Sequence, residues 1–369
     1  MDSSLQPMQP AVLLLEDGTI FNGFACGKIG TATGELCFST NMTGYQELFT
    51  DPSYFGQLLV TTNVHVGNYG INGMEEESDK IQIAGLICRS FTVSYSRKQA
   101  ECSIQDYFEK NGLAGITGVD TRAIVRHIRN KGAMNAILSS EITDIRQLRE
   151  MLARVPSMEG LELSSVVTTR EPYTFGDPAA THKVAVLDFG VKKNILRNFA
   201  SRNCFMKVFP AKSSFSEIKE WNPDGYFISN GPGDPAAMDY AVETVKAILE
   251  EDKPLFGICL GNQILARAIG INTYKMHNGH RGGNHPVKNL QTGKCEVTTQ
   301  NHGFAVKMDD LKASDKATLT HINLNDATVE GLRVLGKKAF SVQFHPEAAP
   351  GPHDSRYLFD DFIRLMEGS

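Results

Sequence analysis

Apolar positions along the chain fall into short runs with two different rhythms. In the first part, up to about Pro156, Val12-Leu-Leu-Leu and Thr19-Ile-Phe21 flank an Asp17-Gly18 turn and predict a β-hairpin. Residues 57–62 and 81–87 read as further strands, whereas 103–110 and 121–130 carry apolar residues at helical spacing. Around 38–54 the alternation fails, and glycine, proline and hydroxyl residues predict a structured loop reaching a surface. Beyond Lys183 the rhythm changes: strand 183–190, helix 192–201, strand 205–209, strand 225–229, strand 255–258 and helix 263–269 follow one another. That alternation predicts a doubly wound, mainly parallel α/β sheet, preceded by a mixed α+β domain. Between them, serine, threonine and proline accumulate without periodicity. The expected domains are therefore 1–156 and 183–369, joined by a linker 157–182.

Composition narrows the class. The 369 residues are too many for one ordinary core, in keeping with two domains. With 41% hydrophobic and 21% charged residues and a net charge of -5, the chain has a globular balance and no basic footprint for nucleic acid. Residues 1–10 lack lysine and arginine, and the apolar run 11–15 is too short for a signal-peptide core or a membrane span. A cytoplasmic protein with no membrane partner is expected. Seven cysteines, an odd number without C-x-x-C pairs, argue against a disulfide framework or a zinc module.

One cysteine stands apart by its setting. In Pro254-Leu-Phe-Gly-Ile-Cys259-Leu-Gly-Asn-Gln263, Cys259 falls on the bend between a buried strand and a helix, with Gly257 and Gly261 on either side. This is the cysteine counterpart of a nucleophile elbow, and a helix N-terminus behind the sulfur favours the thiolate. A base is needed, and Phe344-His345-Pro-Glu347 at another strand end supplies one, with Glu347 able to orient the imidazole. A third strand end, Asn230-Gly-Pro-Gly-Asp234, offers backbone amides for an oxyanion or a ligand carboxylate. Other signals read as structure. Gly331-Leu-Arg-Val-Leu-Gly-Lys-Lys338 lacks the hydroxyl residue of a phosphate loop, and Asp188-Phe-Gly190 reads as a strand-end turn. His277, His280 and His285 lie in a glycine-rich stretch with no carboxylate or cysteine at metal-ligand spacing, so no metal is expected. Asn41-Met-Thr43 matches a glycosylation acceptor by chance in a cytoplasmic chain.

Gly257-Ile-Cys-Leu-Gly-Asn-Gln263 together with His345-Pro-Glu347 resembles the class I glutamine amidotransferases. Ser229-Asn-Gly-Pro-Gly-Asp-Pro235, Gln300-Asn-His-Gly-Phe-Ala-Val306, Met42-Thr-Gly-Tyr-Gln-Glu47 and Thr50-Asp-Pro-Ser-Tyr54 extend the likeness to the small, glutamine-hydrolysing subunits of carbamoyl-phosphate synthetases. Asn262 stands where that family often has histidine. The resemblance implies a Cys259-His345-Glu347 triad that releases ammonia from L-glutamine through a glutamyl thioester. It implies oxyanion amides from Leu260 and Gly231, and contacts to glutamine from Ser53, Gly233, Gln263, Asn301, Gly303 and Phe304. It implies no cofactor in this chain, with ATP and magnesium on a large-subunit partner that makes carbamoyl phosphate for pyrimidine and arginine synthesis. The alternatives are the glutaminase of another amidotransferase, a free-standing amide hydrolase, or a non-catalytic interaction protein.

Overall fold

The computed structural model describes residues 8–368, so the opening residues up to Pro7, read above as carrying no leader, lie outside them. The chain divides into two compact units, Met1–Ser157 and Met158–Ser369. Strands are numbered along the chain: β1 Pro10–Leu15, β2 Ile20–Gly27, β3 Thr31–Ser39, β4 Gln57–Thr61, β5 His65–Val66, β6 Gly85–Ile87, β7 Ser90–Phe91, β8 Ala114–Thr117 and β9 Met134–Ser139 in the first unit. The second holds β10 Tyr173–Phe175, β11 His182–Asp188, β12 Cys204–Pro210, β13 Gly225–Ile228, β14 Leu255–Ile258, β15 Thr273–Asn289, β16 Cys295–Val306, β17 Ala317–Asn323, β18 Val329–Val334 and β19 Ala339–Val342.

The first unit is a closed barrel in the order β1-β2-β8-β6-β4-β3-β9. Its hairpin forms as the Asp-Gly turn predicts, with Leu14 opposite Ile20. Leu13, Leu36, Leu58, Val60, Ile87, Ile116 and Leu138 fill one core. At Gly34 a Cβ would lie 2.2 Å from the Gly56 carbonyl oxygen, so the close approach there admits only glycine. The helix Ile104–Asn111 starts where Ser103 Oγ accepts from the Asp106 amide and stops at the left-handed Gly112. The helix Thr121–Lys131 starts at the Asp120 cap. Two expectations change here. The stretch 38–54, expected as a structured loop, holds a short helix, Tyr45–Thr50, and a 3-10 turn, Pro52–Tyr54. The strand expected over 81–87 shortens to β6, because the Gln82 and Ile83 amides both turn to the Phe49 carbonyl instead of a neighbouring strand.

The second unit is built on a ten-stranded sheet, β10-β12-β11-β13-β14-β19-β18-β17-β15-β16. Its centre, β12-β11-β13-β14-β19, is parallel and carries helices on both faces, the doubly wound core expected from the alternating pattern. To this core the chain adds an antiparallel wing, β18-β17-β15-β16, and an antiparallel edge strand, β10. The stretch 157–182 does not hang free as a linker. β10 pairs with β12, Ser164 Oγ donates to the Pro232 carbonyl (3.1 Å), and the Gly160 and Thr169 amides donate to the Asp234 and Asp188 carboxylates (2.8 and 2.7 Å). Its hydroxyls satisfy backbone groups at the sheet's carboxyl edge, Ser164 at the Pro232 carbonyl and Thr168 at the Ala211 amide. Polarity there marked a tailored border, not a tether.

Candidate active site

Carboxyl ends of parallel strands collect functional groups, and four of them meet here. β14 ends at Ile258, and Cys259 turns the chain into the helix Leu260–Ala268 with φ 56° and ψ -103°. That conformation is strained for a residue bearing a Cβ and costs about 1–3 kcal/mol. The flanking glycines make it possible. A Cβ on Gly257 would sit 2.9 Å from the Gly261 backbone, and one on Gly261 would sit 2.2 Å from the Ile228 carbonyl oxygen, so the helix can start hard against β13 and β14 only without them.

The sulfur is buried and held by two polar contacts. Cys259 Sγ donates to the Asn301 carbonyl at 3.6 Å and receives the Gln343 side-chain amide at 3.7 Å. Gln343 is aimed by its neighbours: Asn262 Nδ2 and Gln263 Nε2 both donate to its Oε1 (3.2 Å each), which turns its NH2 toward sulfur. Asn262 in turn accepts from Ser341 Oγ at 2.9 Å. The asparagine found in place of a family histidine thus belongs to this buried amide network.

Beside β14 lies β19, with Ile258 in register with Val342, and the Cys259 amide donates to the Val342 carbonyl (2.9 Å). Three residues on, the His345 amide donates to the Thr299 carbonyl (2.8 Å). Thr299 and Asn301 stand two apart on β16, a separation of about 7 Å along a strand. Cysteine and histidine are therefore anchored to one strand, a single side-chain repeat apart.

His345 Nδ1 lies 2.8 Å from Glu347 Oε1, and Lys192 Nζ reaches the same oxygen at 2.5 Å. All three side chains are buried. Burial alone would raise the Glu347 carboxyl, but the Lys192 ammonium and the His345 imidazole outweigh it and hold it at about 2. His345 Nε2, the nitrogen on the far side of the ring, is buried with no hydrogen-bond partner. Lys192 follows a turn in which Asp188 Oδ1 accepts from the Gly190 and Val191 amides (2.9 and 2.8 Å), so the Asp-Phe-Gly stretch is a strand-end turn that delivers a cation.

The predicted substrate-side residues other than Ser53 lie in the second unit, on the loop after β13, on the helix behind Cys259 and on β16. A Cβ on Gly231 would lie 2.1 Å from the Phe189 carbonyl oxygen, and Gly233 has φ +96° with its Cα face against Leu161. Leu260 opens the helix behind the sulfur. Gln263 Nε2 donates to the Phe304 carbonyl at 2.8 Å, which ties the helix to Asn301, Gly303 and Phe304 on β16. Ser53 belongs to the first unit, in the 3-10 turn, where its amide donates to Asp51 Oδ1 at 2.9 Å. Sequence reasoning missed Lys192 and Gln343. Gln343 is a polar side chain just beyond an apolar strand, which was an available signal, whereas Lys192 stands beside Lys193 and Asn194 with nothing local to single it out.

The wing carries a second buried polar cluster. His280, His302 and Glu330 bring potential ligand atoms within 4.8 Å of one another, a grouping that the spacing of His277, His280 and His285 did not foretell. Hydrogen bonds tie most of it together, while His280 Nδ1 has no hydrogen-bond partner among the described residues. His280 Nε2 lies 2.7 Å from Asp326, Glu330 accepts from Asn323 and Gln300 (2.8 Å each), and His302 Nδ1 donates to the Phe304 carbonyl (2.7 Å). Burial opposes charge on His280, yet the carboxylates of Asp326 and Glu330 raise it to about 9. His277 is exposed and apart from them.

Comparison with known proteins agrees with these two units. Residues 185–365 match the class-I glutamine amidotransferases, and residues 13–138 match the carbamoyl-phosphate synthase small chain, CPSase domain. The chain is 48% identical to the carbamoyl phosphate synthase small chain of Chlorobaculum tepidum, covering 97% of this chain and 98% of that one. It is 47% identical to that of a Synechococcus strain, with 98% and 95% covered. The chain belongs to the carbamoyl phosphate synthase small chain family. A third relative of that name, from Corynebacterium efficiens, is 48% identical over 97% of this chain and 92% of its own. In this small-chain family member the second unit is the glutamine amidotransferase domain, and the strained cysteine, the histidine-carboxylate pair and the buried lysine all lie inside it. Among the described residues no helix is long and apolar enough to cross a membrane.

Proposed function

We propose that this chain hydrolyses L-glutamine at Cys259, His345 and Glu347 and hands the ammonia to a large-chain partner. The observation that carries the reading is a strained cysteine anchored to the same strand as an imidazole that has one nitrogen on a carboxylate and the other unpaired. His345 takes the thiol proton, and the sulfur attacks the carboxamide carbon of glutamine. Amides of Leu260 and Gly231 receive the oxyanion. The tetrahedral adduct collapses, His345 passes its proton to the departing nitrogen, and ammonia leaves behind a glutamyl thioester. His345 then takes a proton from water, hydroxide adds to the thioester, and glutamate departs as sulfur recovers its proton. Glu347 holds the ring's orientation and balances its charge during each transfer, and Lys192 keeps that carboxylate ionised.

Gly233, Gln263, Asn301, Gly303 and Phe304 grip glutamine in this reading, and Ser53 joins them on the strength of the family resemblance. Carbamoyl phosphate is then made on the large chain, where ATP and magnesium bind. The seven cysteines are all free thiols, which suits the reducing cytoplasm. The test is glutamate release by the purified chain with and without its large chain, in wild type and Cys259→Ser. Stimulation by the partner and loss in the variant are expected. Hydrolysis that ignores the partner would point to a free-standing amidase, and undiminished activity of Cys259→Ser would overturn the nucleophile.

A further inference from the structure

The helix Thr121–Lys131 packs Ile124 and Ile128 into the barrel core and turns Arg122, Arg126 and Arg129 outward. Spaced four and three apart, the arginines share one face. They line a cavity of about 520 Å³ whose other walls are Thr62, Thr121 and Val125. Among the described residues none of the three guanidinium groups has a carboxylate or hydrogen-bond partner. Two other arginines do find acids: Arg97 pairs with Glu75, and Arg202 with Asp360.

Three unpaired cations along two helical turns repel one another by a few tenths of a kcal/mol per neighbouring pair. Among the described residues no carboxylate pairs with them to offset that repulsion. A guanidinium presents a planar fork matched to a carboxylate, and the arginine stems, Val125 and the threonine methyls give the cavity an apolar floor from which water can be displaced. Pairs formed there are partly desolvated and worth more than pairs on an open surface. The forks spread over about 10 Å, seven residues at 1.5 Å each, which fits carboxylates strung along a chain better than one compact anion.

We infer that this arginine face docks an acidic segment of the large-chain partner. The inference rests on the partner reading above and names the surface that serves it. Its test compares the wild-type chain with R122Q/R126Q/R129Q and with the triple lysine variant. Binding of the large chain from the same organism is measured by a surface biosensor at 50 and 500 mM NaCl, with glutamine hydrolysis by the lone chain and circular dichroism as controls for folding. The triple glutamine variant should keep its basal hydrolysis and bind about 30-fold more weakly at low salt, and the triple lysine variant should recover part of the loss. Wild-type affinity should fall steeply with salt while that of the glutamine variant stays nearly flat. Equal affinity and equal salt dependence in wild type and glutamine variant would overturn the assignment. So would 10 mM inorganic phosphate that raises the melting temperature of wild type but not of the variant while large-chain binding is the same in both, since the cavity would then be a free-anion site. No wild-type complex at micromolar concentration would sink the partner reading itself, and this surface with it.

Discussion

Two buried histidine-carboxylate clusters stand in the same unit, and they are finished differently. At His280 the ring faces two carboxylates, Asp326 and Glu330, and the carboxylates and amides around it bind one another. At His345 the single carboxylate is shared with Lys192, and the ring's Nε2 has no hydrogen-bond partner among the described residues. Surplus negative charge fixes a proton on the first ring. On the second, the lysine also reaches the carboxylate, so the ring shares its one acid with a cation. A ring held between two carboxylates stabilises a fold, whereas a ring with one carboxylate and an open far nitrogen can take part in a reaction.

Breaking the open cluster should give the largest effects. Cys259→Ser is expected to lower glutamine hydrolysis about 10⁴-fold with no change in the circular dichroism spectrum, and His345→Asn about 10³-fold. His280→Ala should do the opposite. It strips Glu330 of its cation inside the protein, a loss of about 3 kcal/mol, so the melting temperature should drop by roughly 6 to 12 °C while kcat stays within about fivefold of wild type. If His280→Ala abolished turnover without lowering the melting temperature, the two clusters would have to exchange roles.

A subtler cut falls between them. Removing the ammonium in Lys192→Met leaves Glu347 buried without its strongest stabilising charge, so its carboxyl should titrate at higher pH. The acid limb of the kcat/KM profile should then move up by about one pH unit, and an unmoved limb would show that Lys192 does not govern Glu347. The smallest effect concerns stability against pH. Burial lowers His285 and His321 to about 4, so both are neutral in the fold and take protons first on unfolding. Their contribution is complete above about 6.5 and lost as pH falls toward 4. His280, raised to about 9, works in the other sense: its contribution is complete below about 6.5 and lost as pH rises through 9. Urea titrations at pH 4.5, 7 and 9.5 should find the maximum near 7, and a monotonic trend would contradict the opposed signs.

What could be read from the chain follows how far apart the determining residues lie. Gly257, Cys259 and Gly261 announce the elbow because strain and its relief sit within five residues, and Pro346 fixes its neighbours in the same local way. The parallel core was legible because each strand and helix carries its own period. The barrel was not. Its closure depends on β1 meeting β9 and on β6 finding β4 and β8, pairings that no local pattern encodes. Lys192 and Gln343 were hidden for a related reason, since their partners Glu347 and Cys259 lie 155 and 84 positions away.

The backbone at Cys259 has a consequence of its own. An unnatural twist held at every copy of the molecule is a standing load, and a glycine would carry it without effort. Cys259→Gly should therefore yield a sturdier but idle chain. The cysteine at this bend thus sits at a cost to the fold that the smallest residue would spare it.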